Sequence, residues 1–496
     1  MDGGSNSQDV VLSHEKAPLL SSTKVDTATD RSIQATQPSA EPVIRTYLWR
    51  WIVLIIYSVV SISVNLVWIS SAPIADIMTC YYDVSVFWVN GLSEVYMLMY
   101  LIALFPIVWL LDKYGLRLTM ILGAGFNAAG AALKVAGTGS NYFWITMFGQ
   151  TLAGLSDVFI WTAGPLLSEV WFPSRERATA TAIGTAISVQ SGVLLGLGLT
   201  PFIVHSDLSL QFAVCGNTTI PPFANPGETK EWSDFIFSRL LYFNIGVAAL
   251  SLLAFIFTLI AFHNAPPTPP SISRKLESEH KQSTGFQQFK EFLITTLGAF
   301  KNVHFVLYMI VASIILAMAC TMESVINEIV HPFFPDYDEQ IGYLGITAQA
   351  TSIVAMFAAG IVLDWTKAFY AMNLFVCVLS VVCVVAWAVL ILFQTNFYLL
   401  YIPAVLLGLS MASFLAVAYE YAIEMTYPLP EGTSAGLINA GSQLFSIVII
   451  TIMSYFNSVH MESVGLWFIV GITALGCLIT IFVKPKLRRV NIEKKQ

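Results

Sequence analysis

Twelve apolar stretches, each of about 20 residues or more, run from Trp51 to Val483 with almost no charge inside them. A bilayer core is about 30 Å thick, so a helix of roughly 20 apolar residues is long enough to cross it. Because unpaired backbone groups cost several kcal/mol each in lipid, such stretches have to be helical. With 56% hydrophobic and only 11% charged residues, the chain is predicted to be an all-α membrane protein and not a soluble enzyme.

The apolar stretches fall into two sets of six, which predicts two six-helix bundles. The predicted spans are 51–75, 87–111, 118–137, 142–169, 178–203, 239–262, 304–330, 341–363, 370–394, 398–424, 434–456 and 465–483. The corresponding parts of the chain are a disordered cytoplasmic tail (1–47), a first bundle (48–262), a Pro-rich cytoplasmic linker (263–303), a second bundle (304–484) and a short cytoplasmic tail (485–496).

Lys and Arg are distributed unevenly between the loops on the two sides of these spans. If the N-terminus is cytoplasmic, only Lys134, Lys230 and Arg239 of the 24 basic residues fall on the other side. Cytoplasmic loops are enriched in basic residues, so both termini are predicted to be cytoplasmic. We refer to the opposite face of the membrane as the outer side.

Three residues on the predicted outer side carry covalent chemistry. Cys80 and Cys215 would meet an oxidising compartment there, where they form either a disulfide or two unrelated thiols. Asn217 begins the sequence Asn-Thr-Thr, an acceptor for N-glycosylation.

A charged motif occurs once in each half, at the cytoplasmic end between its second and third span. The first copy contains Asp112 and Arg117, and the second contains Asp364 and Lys367. This pattern resembles the loop motif of the major facilitator superfamily, a fold of two six-helix halves around a central cavity. A carboxylate there can accept hydrogen bonds from a neighbouring helix N-terminus and from the following base, which predicts a cytoplasmic gate. Ordinary interfacial charges are the alternative.

Longer motifs resemble a narrower family, the feline leukaemia virus subgroup C receptor-related family, over about residues 48–484. These motifs are Asp112-Lys-Tyr-Gly-Leu-Arg, Trp171-Phe172-Pro173 with the following Glu176–Ala182, and Tyr427-Pro-Leu-Pro-Glu-Gly-Thr-Ser434. The family includes carriers of choline and ethanolamine, proteins proposed to move haem, and a lysosomal branch linked to proton-dependent pyridoxine transport. Gly164–Ser168 and the Pro-rich linker resemble the lysosomal branch, whereas Glu420–Glu424 resembles the virus-receptor branch.

The N-terminal tail bears on location. Glu15, Leu19 and Leu20 match an acidic dileucine signal, which sorting adaptor proteins read for endolysosomal delivery; a chance match is the alternative. A multi-pass protein of the lysosomal or endosomal membrane, or of the plasma membrane, is therefore expected.

The resemblance also suggests substrate-binding residues. Choline carriers of the family close an aromatic cage on a quaternary ammonium by cation–π attraction. Trp68 stands at the position of the cage tryptophan and Gln443 at that of a cavity glutamine, while Gln190 matches a second glutamine one position out of register. Cys320 stands where the family has its cage tyrosine, a departure that speaks against choline. Packing for Trp68 and interhelical hydrogen bonding for the glutamines are the alternatives.

Four carboxylates lie within predicted spans. An ionisable residue at bilayer depth costs about 2.5–3.5 kcal/mol or more unless it is paired or lines a wet cavity, so it is a functional candidate by default. These residues, expected to couple protons or to balance a cationic substrate, are Asp157, Glu94, Glu323 and Glu420. Asp157 is the strongest candidate because it lies near the middle of its span, and Glu420 can instead pair with cytoplasmic bases.

The sequence therefore predicts a monomeric secondary carrier that moves a small organic metabolite by alternating access. The expected substrate is pyridoxine-like or a choline- or ethanolamine-like cation, and proton coupling is one possible energy source. Haem transport is an alternative, as is a receptor or scaffold without transport. No hydrolase, zinc-protease or P-loop motif occurs, so neither an enzyme nor an ATP-driven pump is expected. No cofactor, metal or nucleic acid is predicted.

Overall fold

The computed structural model describes residues 47–173, 176–204, 226–268, 298–335, 337–366, 368–426 and 431–483. Within these ranges the regular secondary structure is helical. The helices of the first half are α1 (Trp49–Ile69), α2 (Ala75–Tyr82), α3 (Val86–Tyr114), α4 (Leu116–Ala136), α5 (Phe143–Trp171), α6 (Arg177–Thr181), α7 (Ser188–Ile203) and α8 (Pro226–Ala261). Those of the second half are α9 (Val303–Ser324), α10 (Ile326–Val330), α11 (Asp338–Thr366), α12 (Phe369–Leu392), α13 (Tyr401–Thr426), α14 (Glu431–Ser458) and α15 (Glu462–Phe482).

Ten helical segments among the described residues are long and apolar enough to cross a membrane. The shorter α7 is apolar as well. An all-helical, multi-pass membrane protein is thus what the structure shows.

Three predicted spans are interrupted in the structure. The first ends at Ile69, and a 3-10 turn at Ala72–Ile74, which contains Pro73, leads into α2; proline lacks the N–H that would continue an α-helix. The fifth begins as α6 and passes through a π-helical turn at Ala182–Ile187. The seventh breaks at Val325, whose backbone leaves helical geometry, and resumes as α10.

Small residues allow close helix packing in both halves. A Cβ added at Gly130 of α4 would lie 2.5 Å from the backbone oxygen of Gly149 in α5. Lipid is as apolar as the side chains, so close packing of this kind is a main source of attraction between membrane helices. In the second half, a Cβ added at Gly408 of α13 would likewise collide with the backbone oxygen of Ala348 in α11.

Two helix pairs supply most of the contacts between the two halves: α3 with α14 and α7 with α11. Tyr100 of α3 and Asn439 of α14 interact by a hydrogen bond towards the cytoplasmic side. A further set of contacts lies near the outer ends of the helices. A Cβ at Gly342, in the first turns of α11, would meet Pro201 near the end of α7 at 2.7 Å. Between α3 and α14, the side-chain amide of Asn90 donates to Ser454 Oγ over 2.6 Å. We call this set of contacts the outer interface.

Candidate substrate site

A cavity of about 230 Å³ lies between the two halves, on the cytoplasmic side of the outer interface. Helices of both halves line it with aromatic rings, thioethers, amides and carboxylates. The side chains used below are Trp68, Tyr96, Asp157, Trp161 and Gln190 from the first half, and Cys320, Glu323, Met411, Tyr419, Asn439 and Gln443 from the second. Among the lining residues that the structure describes there is no Lys, Arg or His.

Trp68 occupies the last turn of α1 and faces this cavity. Its side chain is 9% exposed, and its indole nitrogen is buried without a hydrogen-bond partner. The ring lies beside Tyr96 of α3, with centroids 6.5 Å apart and planes inclined at 43°. Gln150 of α5 holds the helix end by donating to the backbone oxygens of Val67 and Trp68 at 3.1 and 3.2 Å. The ring is therefore held in place by its helix while its polar edge is left for another partner.

Asp157 lies at the middle of α5 and is 8% exposed. Its Oδ1 atom is buried and accepts no hydrogen bond. The indole of Trp161, one helical turn further along α5, interacts with the same carboxyl group. The hydroxyl of Tyr57 is nearby but donates to the backbone oxygen of Ile160 at 2.9 Å. A buried carboxylate without a cationic partner is costly, so this group favours binding a proton or a positively charged ligand.

Glu323 brings a second carboxylate to the cavity from the last turns of α9. Gln349 of α11 donates to its Oε1 over 2.5 Å. A recess of about 70 Å³ continues from this point between α7, α9, α11 and α13, and it shares Glu323 and Met411 with the main cavity. Glu323 thus lies where the cavity narrows into a side recess.

The amide residues complete the polar lining. Gln190 of α7 and Gln443 of α14 both face the cavity, as does Asn439 one turn before Gln443. Cys320 also faces it from α9, with a free thiol.

Of the two remaining carboxylates predicted for coupling, Glu94 is not among the residues that line this cavity. Glu94 lies at the outer interface, where Thr451 of α14 donates to its Oε1 over 3.1 Å. Glu420 falls within α13, but its side chain lies outside the described residues.

The cytoplasmic motif is described in part. The backbone of Gly115 has φ +82°, a left-handed conformation that favours glycine. The backbone N–H of Arg117 donates to Asn264 Oδ1 at 3.2 Å, and its guanidinium to the carbonyl of Leu259 at 3.3 Å. A cation at that helix end matches the negative end of the α8 dipole. Lys367 and the side chains of Asp112 and Asp364 lie outside the described residues.

On the outer side, Cys80 is disulfide-bonded, whereas the four cysteines in the spans are free. Cys215 and Asn217 lie outside the described residues, as do Glu15, Leu19 and Leu20 of the N-terminal tail.

Three aromatic lining residues were missed in the sequence: Tyr96, Trp161 and Tyr419. Trp161 is four residues after Asp157, which places both on one face of a helix, so spacing alone could have identified it. Tyr96 and Tyr419 occur among many aromatic residues in their spans, and no pattern distinguishes them. Only the packing of α3 against α5 and of α13 beside α9 brings them to the cavity.

Comparison with known proteins agrees with this architecture. Residues 51–390 match the model of the Major Facilitator Superfamily. A D-xylose-proton symporter has a similar fold, with a TM-score of 0.64 at 12% identity over 89% of this chain and 99% of that one. A bacterial homologue of the human lysosomal transporter Spinster, solved in an inward-facing and unoccupied conformation, gives a TM-score of 0.63 at 12% identity over 88% of this chain and 98% of that one.

Fold and central cavity define the class: the chain is a transporter of the major facilitator superfamily. The choline/ethanolamine transporter flvcr2a of Danio rerio is 30% identical over 90% of this chain and 88% of its own length. The choline/ethanolamine transporter FLVCR1 of Mus musculus is 31% identical over 89% of this chain and 76% of its own length. Within the superfamily, the chain belongs to the feline leukaemia virus subgroup C receptor-related family.

Proposed function

We propose that this protein moves a small organic cation, or a small aromatic metabolite that can carry positive charge, by alternating access around the central cavity. The observation that carries the proposal is the buried carboxylate of Asp157, whose Oδ1 has no hydrogen-bond partner, in a cavity whose described lining residues include aromatic rings and no basic side chain. Choline- or ethanolamine-like and pyridoxine-like molecules are the substrates in question.

The aromatic lining supports a cationic substrate. Trp68, Tyr96, Trp161 and Tyr419 surround the space next to Asp157 and Glu323. Each suitably placed ring contributes about 0.5–2 kcal/mol to binding of a cation. These rings offer aromatic surface even though Cys320 takes the place of the tyrosine that the family uses, so that departure no longer counts strongly against a cation.

Cavity size supports a small substrate. Pockets for drug-sized ligands span about 300–1,000 Å³, and this cavity of about 230 Å³ is smaller. A small metabolite suits a cavity of this size better than a haem does. The relatives named as transporters favour transport over a purely receptor or scaffold role, and over an enzyme.

We propose that Asp157 is also the proton-coupling site. When the carboxyl group binds a proton, the buried charge is removed, so a loaded and an empty carrier can both cross between conformations at low cost. Glu323 provides a second site of negative charge on the opposite half.

The test is transport in proteoliposomes with labelled choline, ethanolamine, pyridoxine and haem, with and without a proton gradient. Asp157→Asn keeps the shape of the side chain and removes its titration. We expect proton-driven accumulation to collapse in this variant, while exchange of the substrate between equal concentrations survives because exchange needs no net proton movement.

The control is Glu462→Gln, which removes a carboxylate at the start of α15 outside the cavity. It should transport like the wild type. Proton-driven accumulation that persists in Asp157→Asn would remove Asp157 from coupling, and uptake of none of the four solutes would contradict the proposed substrate class.

The architecture proposed with this mechanism has twelve spans in two bundles, with both termini cytoplasmic. Ten of these spans are the long apolar helical segments described above, and we assign the remaining two to α7 and α11. A monomer suffices, because both walls of the cavity come from one chain. For location, we propose the endolysosomal membrane, reached through the dileucine motif.

A further inference from the structure

Glu328 is a buried carboxylate at the outer interface that the sequence did not single out. It belongs to α10, beyond the end of the membrane-spanning helix α9, and is 8% exposed. Its Oε2 atom accepts a hydrogen bond from Asn457 of α14 at 3.4 Å, whereas its Oε1 atom is buried without a partner. A charged carboxylate in this position is poorly compensated.

Residues of both halves enclose this carboxyl group. Asn90 of α3 interacts with Glu328 by a side-chain hydrogen bond and donates to Ser454 of α14 over 2.6 Å. The Asn90 amide nitrogen carries two hydrogens, so it can donate one to Ser454 and the other to Glu328. Asn90 thereby links the first half to Ser454 and Glu328 of the second, but Oε1 of Glu328 still has no partner, so these bonds compensate a buried charge only in part.

The charged groups around Glu328 also favour its protonated form over its charged form. Glu94 of α3 is close enough to repel it. Glu462 lines the same small recess but is paired with His460 at 3.6 Å. Asp76 of α2 interacts with His331, just beyond α10. Among the described side chains around Glu328, the charged neighbour without a described cationic partner is thus another carboxylate, Glu94.

We propose that Glu328 is a proton-binding site of the outer gate, and that the two halves close on the outer side when it is protonated. The proposal rests on alternating access, as proposed above, but not on the identity of the substrate. It adds a residue to the transport mechanism that lies outside the substrate cavity.

The direction of the pH effect follows from the two states of the gate. Burial raises the pKa of the Glu328 carboxyl to about 8, with the hydrogen bonds of Asn90 and Asn457 lowering it in part and Glu94 raising it. In the open gate, water would return this pKa towards the ordinary glutamate value of about 4.3. The closed gate therefore binds the proton more tightly. The bound proton stabilises the closed gate in full at pH values below the open-state pKa. This stabilisation is lost as the pH rises through the closed-state pKa of about 8.

Cys320 provides a reporter, because its free thiol lines the cavity behind the outer interface. A small membrane-impermeant thiosulfonate applied from the outer side reaches Cys320 only while the outer gate is open. The measured quantity is the labelling rate from the outer side between pH 5.5 and 8.5, divided by the rate from the cytoplasmic side at the same pH. This ratio cancels the change in thiolate fraction, and Cys320→Ser identifies labelling elsewhere.

We expect the ratio to rise with pH in the wild type, on the order of a hundredfold over this range, because linkage to one proton changes the open-to-closed ratio by up to tenfold per pH unit between the two pKa values. Glu328→Gln is neutral at every pH and should keep the low ratio throughout. Glu328→Asp retains a titratable group and should restore the pH dependence. Glu462→Gln, the matched control in the same recess, should behave like the wild type.

Two results would overturn the proposal in distinguishable ways. If Cys320 reacts from both sides and Glu328→Gln keeps the wild-type pH dependence, the gate is not operated by Glu328, although alternating access stands. If Cys320 reacts from one side only at every pH, alternating access around this cavity is itself wrong, and the gate proposal falls with it.

Discussion

At the residue scale, Trp68 is the side chain with the clearest expected effect on binding. Its ring faces the cavity beside Tyr96 and has no hydrogen-bond partner for its indole nitrogen. Removing a ring that contacts a cation costs about 0.5–2 kcal/mol, so we expect Trp68→Ala to weaken the apparent affinity several-fold at every pH. Trp68→Phe keeps an aromatic face and should lose less. Uptake titrations in proteoliposomes measure both, and an unchanged affinity in the alanine variant would assign Trp68 to packing.

A second prediction at this scale concerns Tyr419, which the sequence did not reveal. Its ring belongs to the cavity wall contributed by the second half. If aromatic surface replaces the missing cage tyrosine at Cys320, then Tyr419→Ala should weaken binding several-fold, while Tyr419→Phe should not, because the ring face and not the hydroxyl group attracts the cation. Equal losses in both variants, measured by substrate competition, would indicate that the hydroxyl group is what matters.

The sequence identified about half of this site, and the residues show why. Trp68, Gln190 and Gln443 came from family resemblance, and Asp157 and Glu323 came from the cost of charge in a membrane span. Tyr96 and Tyr419 occur in spans that contain many aromatic residues, so no pattern distinguishes them. Only the packing of helices that are distant in sequence brings them to the same cavity. Glu94 came from the same argument about charge, but its position at the outer interface was not foreseen, and Glu328 was missed altogether. Both positions depend on contact between the halves, which no local pattern encodes.

At the element scale, hydropathy located most helix ends to within a few residues but missed the helix interruptions. It also missed the start of α8, which begins at Pro226 although its span was predicted from 239. The predicted span 304–330 is broken at Val325, and the span 178–203 contains a π-helical turn. Hydropathy reports how apolar a stretch is, and it carries no information on whether each backbone N–H meets the carbonyl four residues before it. Pro73 is the exception, since a proline near the end of a span indicates such a break in advance.

Helix packing at this scale gives a prediction with a matched control. Gly130→Ala places a methyl group against the backbone of α5, where no side chain can yield, so we expect a cost of about 1–3 kcal/mol from overpacking. Gly246→Ala in α8 meets no atom within 4 Å and should be neutral or slightly stabilising, because alanine favours a helix. Thermal unfolding in detergent, followed by size-exclusion chromatography, measures the melting temperature. We expect it to fall for the first variant only. A similar loss in both would show that the α4–α5 contact is looser than described.

At the scale of the whole molecule, the uneven distribution of Lys and Arg predicts how the chain lies in the membrane. Tags at either terminus should be detected only after the membrane is permeabilised. Asn217, on the predicted outer side, should carry a glycan, so glycosidase treatment and Asn217→Gln should shift the gel mobility equally. A terminal tag detected outside intact membranes would reverse the orientation, and with it the sides assigned to the two gates.

Location decides which pH the outer side of the carrier meets, and a variant of the N-terminal dileucine tests the location and gives access to proton coupling. If Glu15, Leu19 and Leu20 form a sorting signal, Leu19→Ala with Leu20→Ala should move the protein from lysosomes to the cell surface, as seen by surface biotinylation. The outer side then faces the medium, whose pH can be set. With the medium held at one pH, so that the protonation of the outer gate does not change, a carrier that takes up protons with its substrate should accumulate less of it when a protonophore removes the pH difference across the membrane. The further change Asp157→Asn should abolish this effect, since it removes the coupling proton. An unchanged distribution would make the dileucine a chance match, whereas surface delivery with uptake that a protonophore does not alter would contradict proton coupling while leaving the sorting signal intact.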